Sequence, residues 1–303
     1  FRRPSEHVFS LDDLIGFGTI TLSQGRYLVE AVNEHKNIVV SGGTGCHLAG
    51  TGILMADGTV KRVEDIAVGD RVMGDDGTAR TVTDIHRGKD MMYAIIPDFR
   101  NGEPYVVNSR HILSLKNSHG NTVDIPLSEY LSLSGAERKS YKAYRAGLVS
   151  FEGNHGRMDR RPYDEGYSIG ERQRLWDSKE KGIPGRIRTE HIRDEYKLSD
   201  EKSRLELLTG ILESAAFYPR YDEIRLSVVS ECMAEDIVFI ARSLGFGAQY
   251  TLVQSRTDLR SNDIIPSFRV CISGDIAKRL RFRKRLDFQQ YMKKSVRDAL
   301  SYH

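Results

Sequence analysis

Residues 37–66 read NIVVSGGTGCHLAGTGILMADGTVKRVEDI, and the fold turns on how the join between Gly45 and Cys46 is read. Up to Gly45 an apolar run, Ile38-Val39-Val40, predicts a buried strand entering a glycine-rich phosphate loop, G-x-x-x-x-G-K-[ST], with Gly42, Gly43, Thr44 and Gly45 as its first residues. The lysine and hydroxyl residue of that pattern do not follow. Cys46 stands where the loop should begin to hold phosphate, and the pattern changes with it.

Working outward, residues 1–45 read as an α/β piece, with Ser10 placed to cap one helix and Thr21 or Ser23 a second. From Cys46 to about Lys116 short β-branched runs alternate with the turn pairs Asp57-Gly58, Asp76-Gly77 and Asn101-Gly102, which predict close hairpins and an all-β module. Residues 117–200 are polar, rich in Arg, Gly and Tyr, and carry helical pieces such as SEYLSL; their composition suggests a connecting region. From Lys202 the pattern sharpens. SRLELLTGILESAAFY predicts a mostly apolar helix, EIRLSVVS a strand and ECMAEDIVFIARSLGF an amphipathic helix, followed by a hairpin of QYTLVQS with SFRVCISG and a final basic helix in DIAKRLRF. Residues near Tyr221 could add one more strand.

The 303 residues suffice for two or three domains of ordinary soluble composition, 39% hydrophobic and 29% charged. No run of about 20 apolar residues could span a bilayer, so the expected place is the cytoplasm. Cys46, Cys232 and Cys271 are too widely spaced for a disulfide framework or paired zinc ligands. The net charge of +3 says little, but residues 278–297, KRLRFRKRLDFQQYMKKSVR, hold nine basic residues against one acidic. Arg279, Arg281, Arg283, Lys284 and Arg285 are thus candidates for contact with a phosphate backbone, or for a solvated helix face. The chain opens without Met and closes at SYH, which suggests part of a longer reading frame.

Cys46, the following GTGILMADGTVKRVEDIAVGDRVMGDDG and the later Asn108-Ser109-Arg110-His111 resemble the start of an intein, a self-splicing element of the Hint fold. The resemblance implies that Cys46 attacks the carbonyl of Gly45 to give a thioester, that His111 polarises the scissile peptide and protonates its departing nitrogen, and that Asn108 holds the strained geometry. Those residue types suit acyl transfer: sulfur is the nucleophile, imidazole the proton carrier, and glycine offers no side chain to obstruct attack. Asn108 stands where the family has Thr, which implies altered tuning of the step. His47 has no role in the pattern. Splicing of this kind needs no cofactor, but it does need a terminal Asn and a following nucleophile. The chain reaches His303 before either, so the C-terminal intein part is expected to be missing.

Residues 10–45 resemble the approach to the Walker A loop of TrbB-like conjugal-transfer ATPases, relatives of type IV secretion motors. This implies a homo-oligomeric host that binds ATP only after splicing restores the loop. LLTGILESAAFY resembles one LAGLIDADG helix of a homing endonuclease. In that register Glu213 is the first acid, while the second, which would hold Mg²⁺, is replaced by Ala215. RPYDEGYSIGERQRLWD occupies the place of a first, degenerate motif with no carboxylate in clear register, so cleavage is expected to be lost while binding of double-stranded DNA survives. The resulting fold class is mixed: an N-extein piece at 1–45, a Hint module at 46–145, a connecting region with the degenerate motif at 146–200, and a LAGLIDADG-like α+β domain at 201–303. Two other readings stay open: a P-loop ATPase fragment with an inert insert, and a DNA-binding module without splicing chemistry.

Overall fold

The computed structural model describes residue 11 and residues 22–33, 46–96, 104–143, 146–153, 156–177, 189–215, 217–220, 223–257 and 264–283. The expected strand at 38–40, the glycine loop at 42–45, the Asn101-Gly102 turn, Ala216, Lys284, Arg285 and His303 lie outside them. Residues 1–43 form one unit, in which helix α1 (Leu22–Asn33) begins next to the expected cap at Thr21. Residues 44–303 form the other. Among the described residues no helix is long and apolar enough to cross a membrane.

The second unit opens with hairpins, as the turn pairs demand. Strand β1 (Gly52–Leu54) pairs antiparallel with β2 (Val60–Arg62), and β3 (Arg71–Met73) with β4 (Ala79–Thr81). Both turns are built from the same Asp-Gly-Thr. Asp57 Oδ1 accepts from the Thr59 N–H at 2.9 Å and its hydroxyl at 2.7 Å, and Asp76 does the same with Thr78 at 3.0 and 2.7 Å. Gly58 and Gly77 then take φ of +89° and +79°, a conformation that side chains resist. Strands β5 (Met92–Ile95) and β6 (Tyr105–Asn108) form a third antiparallel pair, and β7 (Ile112–Lys116) lies between β8 (Thr122–Pro126) and β9 (Lys142–Ala143). The module is not wholly β. Helices α2 (Leu127–Ser132) and α3 (Gly135–Ser140) interrupt it, the latter started by a capping box between Ser134 and Glu137. A small core of Val107, Leu113 and Leu127, flanked by Tyr93, Tyr105 and Tyr130, holds β6 and β7 together.

The segment expected to be a linker is packed. Val149 donates its N–H to Ser243 at 2.8 Å, and Glu152 donates to Ala56 at 2.8 Å. The buried Arg204 guanidinium, stacked 4.9 Å above Phe151, donates to the Val149 carbonyl and the Ser243 hydroxyl. Helix α4 (Pro162–Asp177) likewise belongs to the main core rather than to a connection. It lies against α6 (Glu201–Ser214), with the single turn α5 (Asp194–Lys197) between them in sequence. After α6 come β10 (Phe217–Arg220), which supplies the extra strand, β11 (Glu223–Val228), α7 (Glu231–Ser243), β12 (Gly247–Thr257), β13 (Ile264–Ser273) and the single turn α8 (Ile276–Arg279). The strands form one antiparallel sheet in the order β10-β11-β13-β12.

Alternation along these strands explains the packing. Ile224, Leu226 and Val228 of β11 and Phe268, Val270 and Ile272 of β13 point to one face and join Leu207, Leu208, Ile211, Met233, Ile237 and Ile240 in the core. Each such aliphatic side chain contributes about 1.5–3 kcal/mol on burial. The register places Arg225, Cys271 and Gln249 side by side on the opposite face, with Ser227, Arg269 and Thr251 in the next row.

Candidate active site at Cys46

Cys46 begins a short extended segment that lies antiparallel to β6. The carbonyl of Cys46 accepts from the Asn108 N–H at 2.9 Å, His47 pairs with Val107, and the Leu48 N–H donates to the Val106 carbonyl at 3.1 Å. Residues 62 apart in sequence (108 − 46) thus become direct neighbours. After Asn108 the chain turns tightly, with the His111 N–H donating to the Asn108 carbonyl at 3.2 Å and the Asn108 side-chain oxygen accepting from the Arg110 N–H at 3.2 Å. That turn is why the Asn-x-x-His spacing matters. It returns His111 to the segment that starts at Cys46, where its ring meets His47 edge-on with centroids 5.0 Å apart.

Asn108, only 2% exposed, is further held by a residue that the sequence does not single out. Asp90 Oδ2 accepts from the Asn108 amide at 3.3 Å and lies 3.8 Å from the Arg110 guanidinium. Asp90→Ala removes that acceptor and the ion pair, and it is expected to lower stability by about 1 kcal/mol in chemical denaturation and to slow any reaction that depends on the Asn108 geometry.

Burial lowers the pKa of both imidazoles. His47 falls below its usual range, and His111 is pushed down to about 4 by desolvation first and by the neighbouring His47 second. At neutral pH His111 is therefore uncharged, ready to take a proton before it gives one. Gly45, whose carbonyl would be attacked, lies outside the described residues, as do Gly42, Gly43 and Thr44.

The second expected site is altered. Glu213 is not placed to bind a metal: its carboxylate is buried and accepts from the Tyr163 hydroxyl at 2.9 Å and the Arg283 N–H at 2.9 Å. No group of three potential metal ligands occurs among the described residues. The two helices do meet through glycine. A Cβ on Gly166 would lie 2.1 Å from the Leu207 carbonyl, and one on Gly210 would lie 2.2 Å from that of Tyr163. These contacts exchange under an offset of 44 residues (207 − 163 and 210 − 166), and the same offset sets Glu171 opposite Ala215. Glu171 is exposed on α4.

The basic segment is partly used by the fold. Arg279 donates to the Leu244 carbonyl and, at 3.0 Å, to Glu201, with its guanidinium over Phe246. Arg283 stacks 4.2 Å above Tyr163. Arg281 is exposed beside a cavity of about 580 Å³ between α6 and residues 279–283, well away in the chain from Cys46. The four-residue α8 replaces the longer basic helix expected there, because Leu280 and Phe282 turn into the core.

The catalytic chain of a V-type proton ATPase from Candida tropicalis is 40% identical over 80 residues, which are 26% of this chain and 7% of that protein, so the chain spans a small part of the relative's length. The family described as Hom_end-associated Hint matches residues 46–129, beginning at Cys46 and including Asn108 and His111, and this match supports an intein Hint module over that part of the chain.

Proposed function

We propose that the module beginning at Cys46 carries out the first acyl transfer of protein splicing. The observation that carries this reading is the antiparallel pairing of the Cys46 segment with β6, which sets the nucleophile's backbone beside Asn108 and the returning His111. Cys46 Sγ attacks the Gly45 carbonyl carbon, the carbon–sulfur bond forms, and the carbon–nitrogen bond breaks. His111 takes the thiol proton and delivers it to the departing amide nitrogen, which becomes the α-amine of Cys46. The step is redox-neutral and uses no cofactor. A concentrated small thiol should intercept the thioester and release residues 1–45 from residues 46–303; a chain that stays intact would favour an inert insert.

The host we propose is a homo-oligomeric, cytoplasmic ATPase of the TrbB-like conjugal-transfer kind. The support is the interrupted phosphate loop at Gly42–Gly45, with ATP binding only after the loop is rejoined.

The domain that follows we read as a LAGLIDADG-like module that binds double-stranded DNA. The glycine-mediated pairing of α4 with α6 and the polar sheet face bearing Arg225, Gln249, Thr251 and Arg269 favour this. Mg²⁺-dependent cleavage would be impaired, since only Glu171 remains of the two acids. Arg269→Ala is expected to weaken duplex binding and to reduce the slope of log affinity against log salt by about 1 if Arg269 contacts phosphate. An unchanged slope in titrations over several salt concentrations would count against this use of the face.

A further inference from the structure

We infer that His47 is a positioning residue for the acyl transfer, bracing the His111 imidazole edge-on in the space beside the Cys46 segment. This rests on the splicing reading and deepens it. His47 immediately follows the nucleophile, and its pairing with Val107 fixes which side of the segment its ring occupies. Val107, its partner across the pairing, is fully buried, and the His47 ring is itself half-buried beside His111. His111 reaches the same place from the opposite direction through the tight turn after Asn108. It is flanked by His47 at 5.0 Å and by Tyr105 at 6.2 Å, both at steep interplanar angles of 70° and 67°.

Two rings standing edge-on to a third restrict its rotation and shield part of it from water. His47 Nδ1 is itself buried with no hydrogen-bond partner among the described residues, an arrangement that proteins seldom keep without a use. Among the described residues the other titratable ring against His111 is Tyr105, while the Asp90–Arg110 ion pair is anchored to the Asn108 side chain. Removing the His47 ring would open His111 to water and delete the neighbouring imidazole, the two causes that hold His111 low.

The test uses the full 303-residue chain and reads two quantities: the NMR titration of the His111 ring, and the rate of thiol-dependent cleavage after Gly45 as a function of pH. In the His47→Ala variant the His111 titration is expected to move up from about 4 toward 6.5. The acid limb of cleavage should move with it, and the rate at neutral pH should fall by roughly tenfold to a hundredfold. His47→Phe, which keeps a ring in place, should retain most of both. If His47→Ala does not fold, His47→Gln, polar but without a ring, carries the same expectation. A slower variant whose His111 titration and acid limb do not move would make His47 merely structural and overturn the inference. The wild-type titration separates the two readings: a His111 that titrates low in a chain that never cleaves would sink the splicing reading and leave the brace intact.

Discussion

Replacing His111 with Gln is expected to slow cleavage after Gly45 by about 10²- to 10⁴-fold, the usual contribution of a positioned proton carrier. Glutamine keeps a hydrogen-bond donor near the scissile peptide, so any polarisation of the carbonyl survives in part; what it cannot do is accept a proton and return it. The pH dependence follows from the depressed pKa. With His111 at about 4, the ring is neutral through the physiological range and loses its ability to accept a proton only as pH falls through about 4. An ordinary histidine would lose it near 6.5. The wild-type rate limited by this base should therefore fall on the acid side near 4, and the variant should lack that limb. Single-turnover rates measured by mass from about pH 3 to 8 would check both statements. A limb near 6.5 would mean that the ring is more hydrated in the reacting state than its burial beside His47 implies.

Gly210→Val is expected to cost the domain a large part of its stability. Its Cβ would fall 2.2 Å from the Tyr163 carbonyl oxygen and 2.6 Å from the Tyr167 nitrogen, both backbone atoms that no rotamer change can move. Relief requires α4 and α6 to separate, which also pulls Gly166 from Leu207 and Gly170 from Ile211. Overpacking typically costs about 1–3 kcal/mol, and a clash with rigid backbone belongs at or above the top of that range. At about 2–4 °C per kcal/mol for a domain of this size, the melting temperature should fall by about 10 °C or the domain should not fold. Gly135→Ala is the control, because its Cβ meets nothing within 4 Å. Equal melting temperatures for the Gly210 variant and wild type would show that the helices are not held in such close contact.

These two residues mark what the sequence could and could not reveal. His111 was singled out by the resemblance of Asn108-Ser109-Arg110-His111 to the intein motif, a match confined to one tight turn, and the Asp-Gly-Thr hairpins were legible because their signal is local too. Asp90 and His47 were not. Their roles depend on pairing with β6, and nothing in the residues around Asp90 announces an acceptor for a buried amide. Helix α4 was hidden by its composition. YDEGYSIGERQRLWD has little apolar periodicity, because it packs through Gly166 and Gly170, which contribute closeness rather than hydrophobic area. Glu213 misleads for the converse reason: a carboxylate beside a motif suggests a ligand, whereas Tyr163 and the Arg283 backbone already satisfy it inside the core.

The most direct measurement is the intact mass of the purified chain after incubation with a concentrated small thiol, beside the Cys46→Ala variant treated identically. The expected result is conversion of the wild type into residues 1–45, carried as the thiol adduct, and residues 46–303, with the variant uncleaved. Fragments that appear equally in both proteins, or a wild type that remains whole, would contradict acyl transfer from Gly45 to Cys46.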